Sequence, residues 1–268
     1  NNAKIICLPG PPREIEAMFT HDIIPYLKKM SGGSVLRTRT LKITGLPESK
    51  VDGMVKDLLV LPPPTTVGIY AKLGQVELKI MSKAANAKTA DRAIAKVERE
   101  IRKRLKGHIF GSDDETLESV VGDLLRKRKM TIAVAESCTG GLLANRLTNV
   151  SGSSDYFTMG LVAYSNKIKE RMLGVSPRTM ASTGAVCKEV AMQMAWGIKF
   201  LARTSIGVGI TGIAGPTGGT AKKPLGLVYI ALVTDKGRLY KECRFLGTRE
   251  EIKQQASQAA LNLIRKNI

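Results

Sequence analysis

The pattern of apolar and polar positions changes character near residue 112. Residues 3–8 form an apolar run that reads as a short buried strand, and Pro9-Gly10-Pro11-Pro12 ends it. Proline is well tolerated in a first helical turn, so a helix is predicted from Pro12 towards Met18, with another over 21–29. Ser31-Gly32-Gly33-Ser34 is a break. Residues 35–43 alternate and predict a strand. Over 48–59, Val51, Met54, Val55 and Leu58 fall on one helical face. Pro62-Pro63-Pro64 stops that helix. Residues 66–72 and 75–81 predict two strands meeting at Gly74, and 89–105 a long basic helix. This first part is α+β. A strand as apolar as 3–8 needs neighbours on both sides and nothing precedes it, so the segment is expected to be the end of a larger domain whose beginning is missing.

Beyond Ser112 the pattern becomes α/β. Asp113-Asp114-Glu115 marks a boundary and is expected to open a helix, since acids favour a first turn. Leu117, Val120, Val121, Leu124 and Leu125 form its stripe. Residues 131–136 are apolar and β-branched, then come Ser137, Gly140-Gly141 and a helical pattern. Ser137 is thereby placed at a strand-to-helix turn. A strand is predicted over 157–163, and a helix over 166–173 with Asn166 as its cap and Gly174 as its stop. Val186, Val190, Met194 and Ile198 recur every four residues on a longer helix. Residues 205–211, 225–233 and 239–245 read as strands. Ile252, Ala256, Ala260, Leu263 and Ile264 face inward on a terminal helix. No internal repeat is evident.

Composition narrows the function classes. The chain has 268 residues, enough for two or three domains. No apolar run approaches the roughly 20 residues of a membrane span. Cys7, Cys138, Cys187 and Cys243 are scattered without a C-x-x-C pair, which suggests reduced thiols and no zinc site. The formal net charge is +19, densest over 99–106 and 126–129. Aromatics make up only 4% of the chain, which leaves little for base stacking, so these charges are read as solvated faces with weak polyanion binding as a side effect.

Gly207-Val-Gly209-Ile-Thr-Gly212 matches G-x-G-x-x-G, but the glycine-rich residues after it cannot open the helix that a dinucleotide fold requires. Asp235 lies near the distance of a ribose-binding acid, yet no crossover helix separates it from the glycines. Residues 212–219 read instead as a loop whose backbone N–H groups could hold phosphate or carboxylate. No phosphate-binding G-x-x-x-x-G-K-[ST] occurs. Ser137 is not in G-x-S-x-G, since Ala135 and Thr139 hold the outer places, nor in S-x-x-K, since Gly140 lies three residues on. The two histidines, His21 and His108, precede the α/β part, so no Ser-His-Asp triad can form within it. A nucleophilic Ser137 must then use a lysine, carboxylate or tyrosine as its base. Tyr164-Ser-Asn-Lys-Ile-Lys169 offers such groups at a strand end. Burial and a helix N-terminus both lower a lysine's pKa, so Lys169 or Lys167 could serve, and spacing does not choose between them.

Together these stretches resemble the CinA family, whose C-terminal domain is the nicotinamide mononucleotide deamidase also called PncC. The matching pieces are Ala135-Glu-Ser-Cys-Thr-Gly-Gly141, Ala163-Tyr-Ser-Asn166 with Lys169, Gly184-Ala-Val186, Gly212-Ile-Ala-Gly-Pro216 with Gly218-Gly219, and Lys223-Pro-Leu-Gly226. They cover most of 117–268 in family order. The resemblance implies a three-layer α/β domain over 113–268 that hydrolyses nicotinamide mononucleotide to nicotinate mononucleotide and ammonia. It implies a serine-lysine pair at Ser137 and Lys169, because the family lysine follows the tyrosine by five residues. Tyr164 and Thr211 fall at other active-site positions. Substrate contacts are expected from Thr139, Gly140, Gly141, Asn166, Gly212, Ala214, Gly215 and Arg249, with no metal or cofactor. Cys187 stands where a serine is usual and Lys167 where an acid is usual. A second lysine nearby would help lower the pKa of Lys169.

Residues 8–19 look like the end of a molybdopterin-binding-like domain, which would occupy 1–32. Residues 33–112 look like the family's KH-like α+β domain, but without G-x-x-G, so RNA binding is not implied. The ADP-ribose pyrophosphatase activity of some members belongs to the domain that is mostly missing, and is not assigned to this chain. A cytoplasmic homodimer without membrane or nucleic-acid partners is expected. The alternative is a nucleotide-binding or regulatory protein of the same family without catalysis.

Overall fold

The computed structural model describes residues 4–30 and 32–268. Ala3 and Ser31, and the readings that rest on them, lie outside the described residues. Helix α1 (Pro12–Met18), a π-helical stretch (Phe19–Ile23) and α2 (Ile24–Met30) follow one another directly. The strand expected over 3–8 does not form across its described residues, and Ile5 is 90% exposed. Extended apolar backbone becomes a strand only when a neighbour takes up its hydrogen bonds, and no described strand pairs with it.

The next unit comprises β1 (Val35–Ile43), α3 (Glu48–Leu59), β2 (Thr65–Lys72), β3 (Gln75–Ala84), α4 (Ala87–Arg104) and β4 (Ile109–Ser112). Its strands form an antiparallel sheet in the order β2-β3-β1-β4. Leu41, Ile43, Leu78 and Ile80 pack against Val51 and Val55 of α3 and Ile94 and Ile101 of α4. Met54, assigned to the apolar stripe of α3, stands at its exposed edge. Strand β4 escaped the sequence reading because four residues are too few to display a period.

The acidic triplet does not open the following helix. Helix α5 (Leu117–Lys127) is capped by Thr116, whose hydroxyl accepts from Ser119 N. Asp113 instead accepts from Thr40 N at 2.9 Å, and Glu115 from Ser112 N at 2.8 Å, so both carboxylates fasten the end of the first sheet.

The C-terminal unit continues with β5 (Ile132–Glu136), α6 (Leu142–Thr148), β6 (Phe157–Val162), α7 (Asn166–Leu173), α8 (Pro177–Thr183), α9 (Lys188–Ala202), β7 (Ile206–Gly212), β8 (Leu227–Thr234), β9 (Gly237–Arg244) and α10 (Arg249–Asn267). The sheet order is β6-β5-β7-β8-β9. Strand β5 runs parallel to both of its neighbours, whereas β8 and β9 are antiparallel additions. Ile132 and Val134 join the core beneath α5, α6 and α10, while Ala133 and Ala135 point to the opposite core under α7 and α9. The result is three layers, helix–sheet–helix.

The glycines of G-x-G-x-x-G are packing residues in this fold. A β-carbon on Gly207 would stand 2.1 Å from the Ala195 carbonyl oxygen, and one on Gly209 would stand 2.3 Å from that of Ala191. Their absence lets α9 lie directly on β7. Arg265 of α10 donates to the Gly107 carbonyl at 2.9 Å and joins the two units. No helix among the described residues is long and apolar enough to cross a membrane.

Candidate active site

The site is set by the order of the sheet. After β5 the chain turns to α6 on one face, and after β6 it turns to α7 on the other. Two adjacent parallel strands whose connections leave in opposite directions open a crevice at their C-terminal ends, where ligands bind in open α/β sheets. Ser137 and the segment from Tyr164 to Lys169 flank that crevice. Ala163 N donates to Glu136 O at 2.8 Å and Ser137 N to Ile210 O at 3.0 Å, so Ser137 is pinned between β6 and β7.

A turn follows, closed by Gly140 N donating to Ser137 O at 3.2 Å. Gly140 and Gly141 have φ of 64° and 94°, a region that L side chains avoid, and so both need glycine. Glu136 holds this turn from beneath. Its carboxylate, 1% exposed, accepts from Gly141 N and Leu143 N at 3.1 Å and from Ala144 N at 2.8 Å. These are orphan donors of the α6 N-terminus, where negative charge is favoured. Gly140 N–H and Gly141 N–H are therefore already engaged. Thr139 is fully buried, its hydroxyl has no hydrogen-bond partner among the described residues, and its N–H is uncommitted there. Of the expected substrate contacts Thr139, Gly140 and Gly141, Thr139 is the one whose N–H is left free among the described residues.

Lys169 is 2% exposed, whereas Lys167 is on the surface. Two residues apart on a helix means nearly opposite faces, and α7 turns Lys169 inward. Its Nζ donates to the Tyr164 carbonyl at 3.2 Å, and no carboxylate pairs with it among the described residues. Burial lowers its pKa, with a small opposing effect from Cys138. The Cys138 thiol is pushed up to about 12, chiefly by burial, and Lys169 and Arg249 pull it slightly down. No hydrogen bond joins Ser137 to Lys169 among the described residues.

The other expected residues divide into two groups. Thr211 is buried, and its hydroxyl donates to the Ala185 carbonyl at 2.8 Å, bracing the corner before α9. Tyr164 is 62% exposed, and its hydroxyl accepts from Arg249 Nη2 at 3.0 Å. Arg249 Nη1 donates to Gly215 O at 2.5 Å, so this first residue of α10 ties the Tyr164 segment to the glycine-rich loop. Ala214 and Gly215 are buried in that loop, and Gly212 closes β7. Asn166 does not cap α7. Ser165 does, accepting from Ile168 N at 3.3 Å, and the exposed Asn166 amide has no hydrogen-bond partner among the described residues. Cys187 performs the capping work of a serine, since its sulfur accepts from Val190 N at the start of α9.

Two contributors had no role in the sequence reading. Glu136 was legible as a carboxylate ending an otherwise apolar strand, five residues before a glycine-led helix start. Lys223 donates to the carbonyls of Thr183 and Val186 and anchors the far side of the glycine-rich loop. It opens the matching stretch Lys223-Pro-Leu-Gly226, but nothing local pointed to this role.

Residues 114–268 match the CinA C-terminal domain family and residues 38–111 the damage-inducible protein CinA KH domain family. A putative competence-damage inducible protein of Moorella thermoacetica is 48% identical over 97% of this chain and 63% of its own length. One from Clostridium perfringens is 46% identical over 100% of this chain and 65% of its own length. The chain thus spans a little under two thirds of these relatives. Among solved structures, the competence/damage inducible protein CihA of Agrobacterium tumefaciens shares 40% identity, with a TM-score of 0.55, over 57% of this chain and 94% of that one. A CinA superfamily protein of Escherichia coli shares 30%, with a TM-score of 0.54, over 57% of this chain and 91% of that one. With both of its family domains matched and nearly its whole length aligned to these relatives, the chain belongs to the CinA family.

Proposed function

We propose that the chain is an amidohydrolase that converts nicotinamide mononucleotide to nicotinate mononucleotide and ammonia, acting as a cytoplasmic homodimer. The observation that carries this reading is Lys169, a buried amine without a carboxylate partner among the described residues, bonded to the Tyr164 carbonyl just past the end of β6, the neighbour of the strand that Ser137 follows. A lysine so placed favours the neutral form, which is the form a general base requires.

In the proposed reaction Lys169 leaves the Tyr164 carbonyl and accepts the Ser137 proton as Ser137 Oγ adds to the carboxamide carbon. Catalytic hydrogen bonds are often long before substrate binds. The oxyanion takes the N–H and hydroxyl of Thr139. Collapse of the tetrahedral intermediate breaks the C–N bond, and Lys169 returns its proton to the leaving ammonia. Water, deprotonated by Lys169, then attacks the acyl ester, releasing the nicotinate and restoring Ser137. Arg249 and the glycine-rich loop bind the remainder of the nucleotide.

The test is ammonia release from nicotinamide mononucleotide by the parent and by Ser137→Ala. Loss of a nucleophile of this kind costs about 10³-fold or more in kcat. Equal rates would reject the serine mechanism. No release from either protein would favour the non-catalytic nucleotide-binding reading, which the bond from Lys169 to Tyr164 O also accommodates.

A further inference from the structure

A cavity of about 360 Å³ opens beside the Ser137 turn, walled by Leu142 of α6 and by Arg249, Glu250, Lys253 and Gln254 of α10. Arg249 and Lys253 are four residues apart, neighbours on one helical face. The Lys253 ammonium lies over Gly140, 3.6 Å from the place a β-carbon there would take. Gly140 is in turn joined to Ser137 by the hydrogen bond that closes the turn. The cation therefore stands about one β-turn, under roughly 7 Å between α-carbons, along the chain from the proposed nucleophile.

The charge at this cavity is unbalanced. Lys253 Nζ has neither an ion pair nor a hydrogen bond among the described residues. Arg249 spends its donors on a carbonyl and a phenol, neither of them a carboxylate. Glu250 shares the wall but is exposed and pairs with neither cation. The other nearby place for an anion, the α6 N-terminus, is filled by Glu136. Residues 212–219 of the glycine-rich loop contain no cationic side chain. Two cations one turn apart, Lys253 half-buried and Arg249 exposed, neither paired with a carboxylate among the described residues, suit a phosphate monoester.

We infer that this cavity is the phosphate subsite and that Lys253 is its specificity-determining residue, selecting a phosphorylated ribosyl carboxamide over the same compound without phosphate. The carboxamide half of that statement rests on the proposed function, whereas the anion subsite does not.

Lys253→Met keeps the aliphatic stem and removes the charge. Binding is measured with inorganic phosphate and with ribose 5-phosphate by calorimetry, and Lys103→Met on the exposed face of α4 serves as a charge control. Lys253→Met is expected to weaken both ligands about tenfold or more, with Tm unchanged and the control unaffected. In turnover, KM for nicotinamide mononucleotide rises by about the same factor with kcat nearly constant, because uniform binding has been lost. The values for nicotinamide riboside do not move. Equal phosphate affinity in parent and variant, or no phosphate binding by the parent, would overturn the inference. Phosphate binding that depends on Lys253 in a parent releasing no ammonia would retain the subsite and reject the reaction.

Discussion

Lys169 and Glu136 show how much a single buried charge depends on what surrounds it. Glu136 is a fully buried acid satisfied by three backbone donors, and it stabilises the turn that carries Ser137. Among the described residues Lys169 has one carbonyl partner and no acid, so burying it costs free energy that an apolar residue would not. Its folded pKa lies below the unfolded value of about 10.4, so the unfolded chain binds its proton more readily. The cost is therefore fully present below the lowered folded pKa and fades as pH rises towards the unfolded one. Lys169→Met should abolish activity yet melt above the parent at pH 7, and the gap should shrink by pH 10. Calorimetry at the two pH values checks this, and a lower Tm for the variant at pH 7 would contradict it. The sequence identified both lysines as candidate bases. It could not choose between them, because their difference is an orientation about α7 that packing fixes.

At the scale of elements, most boundaries followed from periodicity and stop signals. Strand β1 and helices α1, α3 and α7 were legible from alternation, stripe and the prolines and glycines that flank them. The misses have local causes. The 3–8 run had the composition of a strand but no partner among the described residues, β4 was too short, and α8 is a single proline-led stretch of seven residues without a buried face. The cap of α7 was displaced by one residue, since serine and asparagine both serve at that position. Close contact between α9 and β7 gives a sharp prediction. Gly209→Ala would force a methyl against the Ala191 carbonyl, 2.3 Å away, and should cost about 3 kcal/mol by overpacking. Urea unfolding measures the loss. A cost below about 1 kcal/mol would mean that α9 can lift from the sheet, and a packing role for the G-x-G-x-x-G glycines would be withdrawn.

Across the whole molecule, the basic excess is partly organised into ion pairs. Arg39 meets Glu98 and Asp113, and Arg104 meets Glu100 and Asp57, so several charges of the α4 region bind the first unit to itself. The two units meet through α10, where Arg265 reaches both Gly107 O and the Asn262 side chain. Arg265→Ala should lose about 1.5 kcal/mol of stability, the scale of one hydrogen bond from a charged group, and leave ammonia release at the parent's rate. Matched urea curves and turnover assays read both quantities. A fall in activity without a fall in stability would imply that the α4–α10 junction communicates with the crevice.

By itself the sequence determined most of the elements, the change of pattern near residue 112, the strand-to-helix turn at Ser137 and the exclusion of a histidine triad. These follow from hydrophobic period, glycine and proline conformations and residue inventory, all of which act over a few positions. Only the tertiary structure decided that Lys169 is the buried lysine, that Glu136 occupies the α6 N-terminus, and that Arg249 and Lys253 face a cavity beside the Ser137 turn. Those facts depend on which strands lie side by side and to which face each connection departs. The crevice between β5 and β6 is a product of that order, and residues brought to it from α7 and α10 carry no local mark of being neighbours.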